Sequence, residues 1–543
     1  MNKFIYALII LMGLFFRLYL LDERPFHHDE ALHAIYASYF FKNPISGFYR
    51  YNPLLHGPFL YNFYYPFLWL FGSSHFAIRL FSVFFGMSYL FFPLLFLKQL
   101  GRKSVLLLTF FLASSPTLVF WSRFPRHDGP MLFFLFFFFY FLLSKTKKIF
   151  SFLAPLSFFL LFSIKENSFV YVAFLSGYLL YEFLFDKKSY LWSKFSSLLK
   201  NKTLFLMGSL AGITLTLALY SSFFRHNEII IENLFGQSFS YWLNQHSIER
   251  LKGPFSYHFF SLSWYETFFT LVFIFQIVHL AFRKKIYFLL TFFLFALSLL
   301  TYFFIPLQWL DFVRPKISLD LFFIVFLFFY SIISTTIFKK EKRELLAFSS
   351  YLFYASFFTY SYLGEKVPWL SLYVFAPGIF FLTLYFREYK YHFNKKIIAL
   401  FCCFHLYQNI LTNIVFLGNK REFISQVQTD EEIHLIARRI AKERKKHILV
   451  QGSALWPLSW YFYRHPHYSF NKKTLYPLYD YIFTDTFLPN IDRIHFVRSE
   501  IILRHWFTPN YTTMTFTDYL MYTLIHCPWN KPGTKRVLFY QKP

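Results

Sequence analysis

Pro130-Met-Leu-Phe-Phe-Leu-Phe-Phe-Phe-Phe-Tyr-Phe-Leu-Leu-Ser144 is apolar at almost every position. Lys145-Thr-Lys-Lys148 stands directly behind it and Arg123-Phe-Pro-Arg-His-Asp-Gly129 directly ahead. A run of this kind between charged ends predicts a helix crossing a bilayer, whose apolar core takes about 20 residues. At its length it needs local thinning of the membrane. Working outward, similar runs lie at 4–21, 76–97, 104–121, 150–164, 168–185, 203–220, 265–282, 286–306, 319–338, 345–361, 371–386 and 397–416. The expectation is a mainly α polytopic membrane protein of about 13 transmembrane helices. Composition agrees. Of 543 residues, 56% are hydrophobic, 25% aromatic and 15% charged, against about 25% charged and 45–50% apolar in soluble domains. Three cysteines, two of them the adjacent Cys402 and Cys403, build neither a disulfide framework nor a zinc site. Lys3 precedes the first run and no small-residue cleavage site follows it, so that run reads as a retained anchor.

The net charge of +27 follows from topology. Lys98–Lys103, Lys145–Lys148, Lys187–Lys202, Arg283–Lys285, Lys339–Arg343 and Arg387–Lys396 form one set of loops, short and almost purely basic. They are cytoplasmic by the positive-inside rule. The alternate loops carry Asp29, Glu30, Asp128, Glu166, Glu228, Glu232, Asp311 and Glu365 and face outward. The N-terminus is then cytoplasmic and the tail periplasmic or extracellular, in a cytoplasmic (inner) membrane. Nucleic acid is not needed to explain the charge.

Residues 1–416 read as the transmembrane domain and 417–543 as a small extracytoplasmic α/β domain. In the tail, aromatic runs give way to a basic helix over 430–446 and strands at 447–450, 479–483 and 536–540.

Chemistry concentrates at the outer ends of the spans. In Arg24-Pro-Phe-His-His-Asp-Glu-Ala-Leu-His-Ala34 three histidines and two acids crowd into seven residues. From Asp29 the apolar positions Leu32, Ile35, Tyr36, Tyr39 and Phe40 outline an amphipathic helix along the membrane surface. Asp29 is either an N-cap or a functional carboxylate, with Glu30 beside it. Arg50-Tyr-Asn-Pro-Leu-Leu-His-Gly-Pro58 is a punctuated loop that presents His56. His27, His28 and His33, with His56, are candidate ligands for a divalent metal, though their spacing matches no zinc template. Arg126 with Asp128, Lys165 with Glu166, and Glu365 with Lys366 are ionisable pairs close to hydrocarbon. Such groups line a site or pair locally and snorkel. The outward loop Ser221–Trp264 mixes Arg225, His226, Gln245, His246 and Lys252 with aromatics, as an interfacial belt does.

The order of these clusters resembles the GT-C superfamily of polytopic glycosyltransferases. It is most similar to the branch related to protein O-mannosyltransferases and glycosyltransferase family 39, the flippase-activity-associated proteins. The motifs are His28-Asp-Glu-Ala-Leu-His33, Tyr51-Asn-Pro-Leu-Leu-His-Gly-Pro58, Arg126-His-Asp128, Lys165-Glu-Asn167, Glu365-Lys-Val-Pro-Trp-Leu370 and Trp456-Pro-Leu-Ser-Trp460. The resemblance implies a hexosyltransferase that takes a sugar from a polyprenyl phosphate to a lipid, glycan or protein acceptor outside the cytoplasm, inverting the anomeric centre. Asp29 is then the base, with Glu30 as a second catalytic candidate. His56, Arg126, Asp128, Lys165, Glu166, Glu365 and Lys366 are the substrate-binding candidates, and Lys165 or Arg126 stabilises the departing phosphate. Two other readings compete: a component of lipid-linked glycan flipping, and a non-catalytic scaffold. Transporters carry repeats and broken midplane helices, whereas here the polar clusters crowd at outer loop ends.

Overall fold

The structure is a computed structural model. It describes residues 3–42, 52, 55–72, 74–144, 147–185, 189–227, 230, 232–237, 240–241, 244, 252–471, 476–488 and 496–543. Arg50, Tyr51, Pro53, Leu54, Glu228, Gln245 and His246, and parts of the basic loops at 145–146 and 186–188, lie outside the described residues.

Every apolar run of the sequence is helical, from Lys3–Leu18 through Asp128–Leu143, Phe150–Leu161 and Glu344–Tyr362 to Lys395–Ile410. Among the described residues, seven helices are long and apolar enough to cross a membrane, and two bent pairs bring the number to nine. Phe-rich faces left at the surface, such as Phe292 and Phe293 at 61% and 68% exposure, suit lipid and not water.

Both bent pairs break where the sequence demands it, and one carboxylate serves both. Arg102–Ser114 and Pro116–Ser122 meet at 57°. Pro116 lacks the N–H that would continue the helix and starts the next one at its first position. The Ser115 hydroxyl accepts from Leu118 N–H (3.0 Å) and donates to Glu266 (2.5 Å), which also accepts from Thr117 N–H (3.0 Å). Glu266 is itself the residue between Tyr257–Tyr265 and Thr267–Ala281, helices 115° apart. In hydrocarbon, the carbonyls freed at a break need partners from neighbouring helices. Helix Lys395–Ile410 supplies one through Gln408 to Trp264 O (2.8 Å), and Asn413, in the next turn, supplies another to Pro116 O (3.0 Å). Arg17 caps Leu112 O and Ala113 O in the same way. The segment 221–264, expected as one loop, therefore ends in a buried helix that packs on the spans.

The sheet lies wholly within residues 428–541. Its strands are β1 (Gln428–Thr429), β2 (Ile448–Val450), β3 (Tyr468–Phe470), β4 (Tyr481–Thr484), β5 (Val497–Trp506) and β6 (Gly533–Gln541), in the order β1-β5-β6-β4-β2-β3. β2 is parallel to β3 and β4, and the remaining pairs are antiparallel. Side chains alternate between two cores, as the pleat requires. Ile448 and Val450 pack with Ile433, Ala437, Leu458 and Phe462 on one face, while Leu449 joins Ile482 and Tyr540 on the other. The predicted basic helix is shorter than expected, Glu431–Ile440. Beyond Ile440 the chain runs Ala-Lys-Glu-Arg-Lys-Lys-His447, with no large apolar residue to extend the buried stripe.

This region is seated on the loop that follows the first helix. Trp460, in helix Leu455–Phe462, stacks on Phe26 at 5.3 Å. Phe26 N–H donates to the Tyr461 hydroxyl (3.1 Å), Thr429 donates to Phe26 O (2.7 Å), and Arg438 pairs with Asp22 (3.2 Å).

Candidate active site

Glu30 and Asp29 are neighbours in the chain with opposite surroundings. The helix His28–Lys42 turns about 100° per residue, so adjacent side chains face different ways. Glu30 is fully buried. It accepts from Arg24 (2.6 Å), from Arg79 through both oxygens (3.0 and 2.9 Å) and from His27 N–H (2.9 Å). The last bond is half of a capping box. Asp29 is therefore not the N-cap; His27 is, its Nδ1 accepting from Asp29 N–H (3.0 Å) while Glu30 bonds back to it. Two guanidiniums on one carboxylate make a buried ion triad, costly to break from either side.

Asp29 is 25% exposed and is the accessible end of a chain of charges. Its Oδ2 accepts from Arg126 (2.6 Å), whose Nε reaches Asp128 (3.2 Å), and Asp128 accepts from Lys165 (2.6 Å) and the Tyr373 hydroxyl (2.7 Å). The Arg126 guanidinium lies 3.8 Å from the centre of the Trp369 ring. Burial opposes ionisation of Asp29, but His28, Arg126, His27 and His33 outweigh it and hold the carboxyl well below the usual carboxylate range. His33 is pushed down to about 3, first by burial and then by Arg126. Burial also lowers Lys165, which the Asp128 carboxylate partly offsets.

His56 is 7% exposed. Its Nδ1 lies 2.7 Å from Glu166, so Lys165 and Glu166 do not pair with each other but with Asp128 and His56. Two loops meet here through their backbones, with Gly57 N–H to Ile164 O (3.2 Å) and Phe59 N–H to Ser163 O (2.9 Å). A Cβ on residue 57 would lie 2.2 Å from Ser163 O, so only glycine allows the approach. Lys366 is drawn elsewhere. Its ammonium donates to the carbonyls of Ser361 and Leu363 and closes the end of helix Glu344–Tyr362. Glu365 is partly exposed beside it. The motif reaches the charge chain through Trp369.

The helix His28–Lys42 leaves its apolar stripe partly uncovered at the protein surface. Ala31, Ala34, Ala37 and Ser38 are buried, while Tyr39 is 53% exposed and Leu32, Ile35 and Tyr36 partly so. Small residues let the helix lie close on the protein and turn the aromatic stripe outward.

For a metal, ligand atoms of His27, His28 and Asp29 lie within 4.8 Å of one another. His33 is instead bonded to the Tyr61 hydroxyl (2.8 Å) and His56 to Glu166. The histidine pair fits a cation, but Arg126 already neutralises the carboxylate, and a metal would have to displace it.

Two residues absent from the sequence reading belong to the site. Tyr373 holds Asp128, and Arg504 of β5 lies within the field of Asp29. No local signal marks either, because both come from distant parts of the chain.

No family model and no curated protein matches the sequence. A solved structure does. ArnT from Cupriavidus metallidurans, in a crystal structure bound to undecaprenyl phosphate, aligns over 99% of this chain and 98% of that one. The TM-score is 0.53 and the sequence identity 12%. The chain therefore shares the fold of that ArnT structure. The apo-state structure of the same ArnT aligns over 98% and 97% at 13% identity, with a TM-score of 0.48.

Proposed function

We propose that this protein is an integral-membrane glycosyltransferase that moves a sugar from a polyprenyl-phosphate donor to an extracytoplasmic acceptor hydroxyl. The observation that carries the reading is the solvent-reaching carboxylate of Asp29 at the end of the buried chain Arg126–Asp128–Lys165. ArnT, whose fold this chain shares, was crystallised with undecaprenyl phosphate. An apolar cavity lined by Leu132, Leu135, Tyr171, Ala376 and Phe380 lies on the helices that carry Asp128 and Tyr373.

In this reading the acceptor oxygen attacks the anomeric carbon while the bond from that carbon to the phosphate oxygen breaks. The bonding pair leaves with the phosphate, and the hydroxyl proton passes to Asp29. One displacement inverts the centre. Phosphate is a good leaving group, so the chain supplies positive charge to it and no acid. Arg126 is shared: as it turns toward the phosphate it releases Asp29, whose basicity then rises. Asp128 and Tyr373 hold Lys165 and Arg126 in place. Glu30 is a positioning residue that fixes the start of the helix carrying Asp29, and the His56–Glu166 pair fixes the facing loop. Glu365 and Lys366 shape the turn that delivers Trp369.

Residues 1–416 form a transmembrane domain of about thirteen spans with a cytoplasmic N-terminus. Residues 417–543 form an extracytoplasmic α/β domain that seats the catalytic loop. The test is sugar transfer by purified protein in lipid, with a panel of polyprenyl-phosphate sugars and Asp29→Asn alongside. Polyprenyl phosphate released by the native protein and not by the folded variant is the expected result. Equal turnover by both would end the assignment of Asp29 as base.

A further inference from the structure

A second cleft lies between the helices at the end opposite in charge character to the Asp29 site. It holds about 900 Å³, near the top of the roughly 300–1,000 Å³ usual for ligand sites. Leu107, Phe111, Phe268, Leu382, Phe386 and Ile398 line it. Its mouth carries Lys103, Ser104, Arg387, Lys390, His392 and Lys395. The walls are apolar along their length: Phe111, stacked on Phe268 at 3.8 Å, is eight residues from Lys103, about 12 Å along a helix.

Arg387 is bonded to Glu388 (3.2 Å), which also pairs with Arg343 (2.8 Å). Among the described residues no carboxylate pairs with Lys103, Lys390 or Lys395, and all three are exposed. Like charges lining one cleft repel one another unless an anion joins them. These residues belong to the basic loops Lys98–Lys103 and Arg387–Lys396, which the proposed orientation puts in the cytoplasm. Cytoplasmic leaflets hold anionic lipids, and basic pockets between membrane helices take their head groups.

We propose that this cleft binds an anionic phospholipid of the inner leaflet, its phosphate among Lys103, Lys390 and Lys395 and its acyl chains against Leu107, Phe111 and Leu382. The site is separate from the Asp29 chain and rests on the orientation in the reading above, not on the transfer chemistry. A zwitterionic lipid would satisfy the walls but leave the three ammonium groups without a net negative partner.

The test uses full-length protein in mixed vesicles of phosphatidylglycerol and phosphatidylcholine, extracted and examined by native mass spectrometry. Phosphatidylglycerol should be retained at least tenfold over phosphatidylcholine, and Lys103→Gln/Lys390→Gln/Lys395→Gln should abolish that preference at an unchanged melting temperature. No preference in the native protein, or the same preference in the variant, would overturn the proposal. Should the variant fail to fold, a phosphatidylglycerol with a photoreactive acyl chain decides with the native protein. Labelling within 103–111 and 379–401 is expected, and labelling confined to other segments overturns the site. Neither readout depends on sugar transfer, so an inactive but lipid-selective protein would count against the glycosyltransferase reading alone.

Discussion

At the scale of the residue, Asp29 and Glu30 show how little adjacency says about role. One is reachable from solvent and shares a single guanidinium with Asp128; the other is enclosed by Arg24 and Arg79. Asp29→Asn should lower turnover by about 10²–10⁴-fold, the range for loss of a positioned base, with a smaller fall in melting temperature than Glu30→Gln because Arg126 keeps Asp128 as a partner. Glu30→Gln should do the reverse in emphasis. It leaves two buried guanidiniums short of a counter-charge, which costs about 3–5 kcal/mol, read as a fall in thermal stability of the purified protein. The pH dependence follows from the depressed Asp29 carboxyl. A group whose folded-state pKa lies below its unfolded value stabilises the fold at neutral pH and loses that contribution as pH falls. It is also ionised throughout the neutral and mildly acidic range. Turnover should therefore show no acid limb from Asp29 above about pH 5, since even an unperturbed Asp titrates near 3.9. In Arg126→Gln, burial acts with one fewer opposing charge, and the limb should move upward. A pH–rate profile of that variant superimposable on the native one would remove Arg126 from the account.

At the scale of the element, the site depends on contacts between segments that are short and irregular. The turn at Gly57 lies on the backbone of Ser163 and Ile164, and this contact brings His56 to Glu166. Gly57→Ala would force a Cβ against Ser163 O and should separate the two loops. Overpacking of this kind costs about 1–3 kcal/mol, and a loss of turnover larger than the loss of stability should accompany it. Normal turnover in that variant would show that the loop contact is dispensable. The helix Leu455–Phe462 acts on the same region from the other side. Tyr461→Phe leaves Phe26 N–H without its partner, at about 1–3 kcal/mol. Because Phe26 precedes the His28–Lys42 helix, the change should reduce turnover as well as melting temperature. Unaltered turnover would mean that the tail does not hold the catalytic loop.

At the scale of the whole molecule, the prediction concerns sidedness. In a variant whose native cysteines are replaced by serine, a single cysteine at the exposed Lys535 should react with a membrane-impermeant thiol reagent in intact cells or spheroplasts. A cysteine at Lys390 should react only after lysis. The reverse pattern would invert the topology and place Asp29 in the cytoplasm. What the sequence by itself determined is the set of elements whose cause is local: the apolar runs, their charged ends, and the strands read at 447–450, 479–483 and 536–540, which overlap β2, β4 and β6. Hydrophobic period and charge are properties of a few consecutive residues, and a bilayer forces any such run to satisfy its backbone internally. The candidate residues were legible too, because ionisable groups stand out against hydrocarbon. Their pairing was not. Lys165 meets Asp128 and not Glu166, Lys366 closes a helix end, and Arg504 and Tyr373 arrive from remote segments. The apolar stripe of His28–Lys42 faces outward because alanines, not aromatics, allow close packing. Those outcomes are set by which surfaces meet across hundreds of residues, and by the need of each buried charge for a partner. Only the tertiary structure decides that.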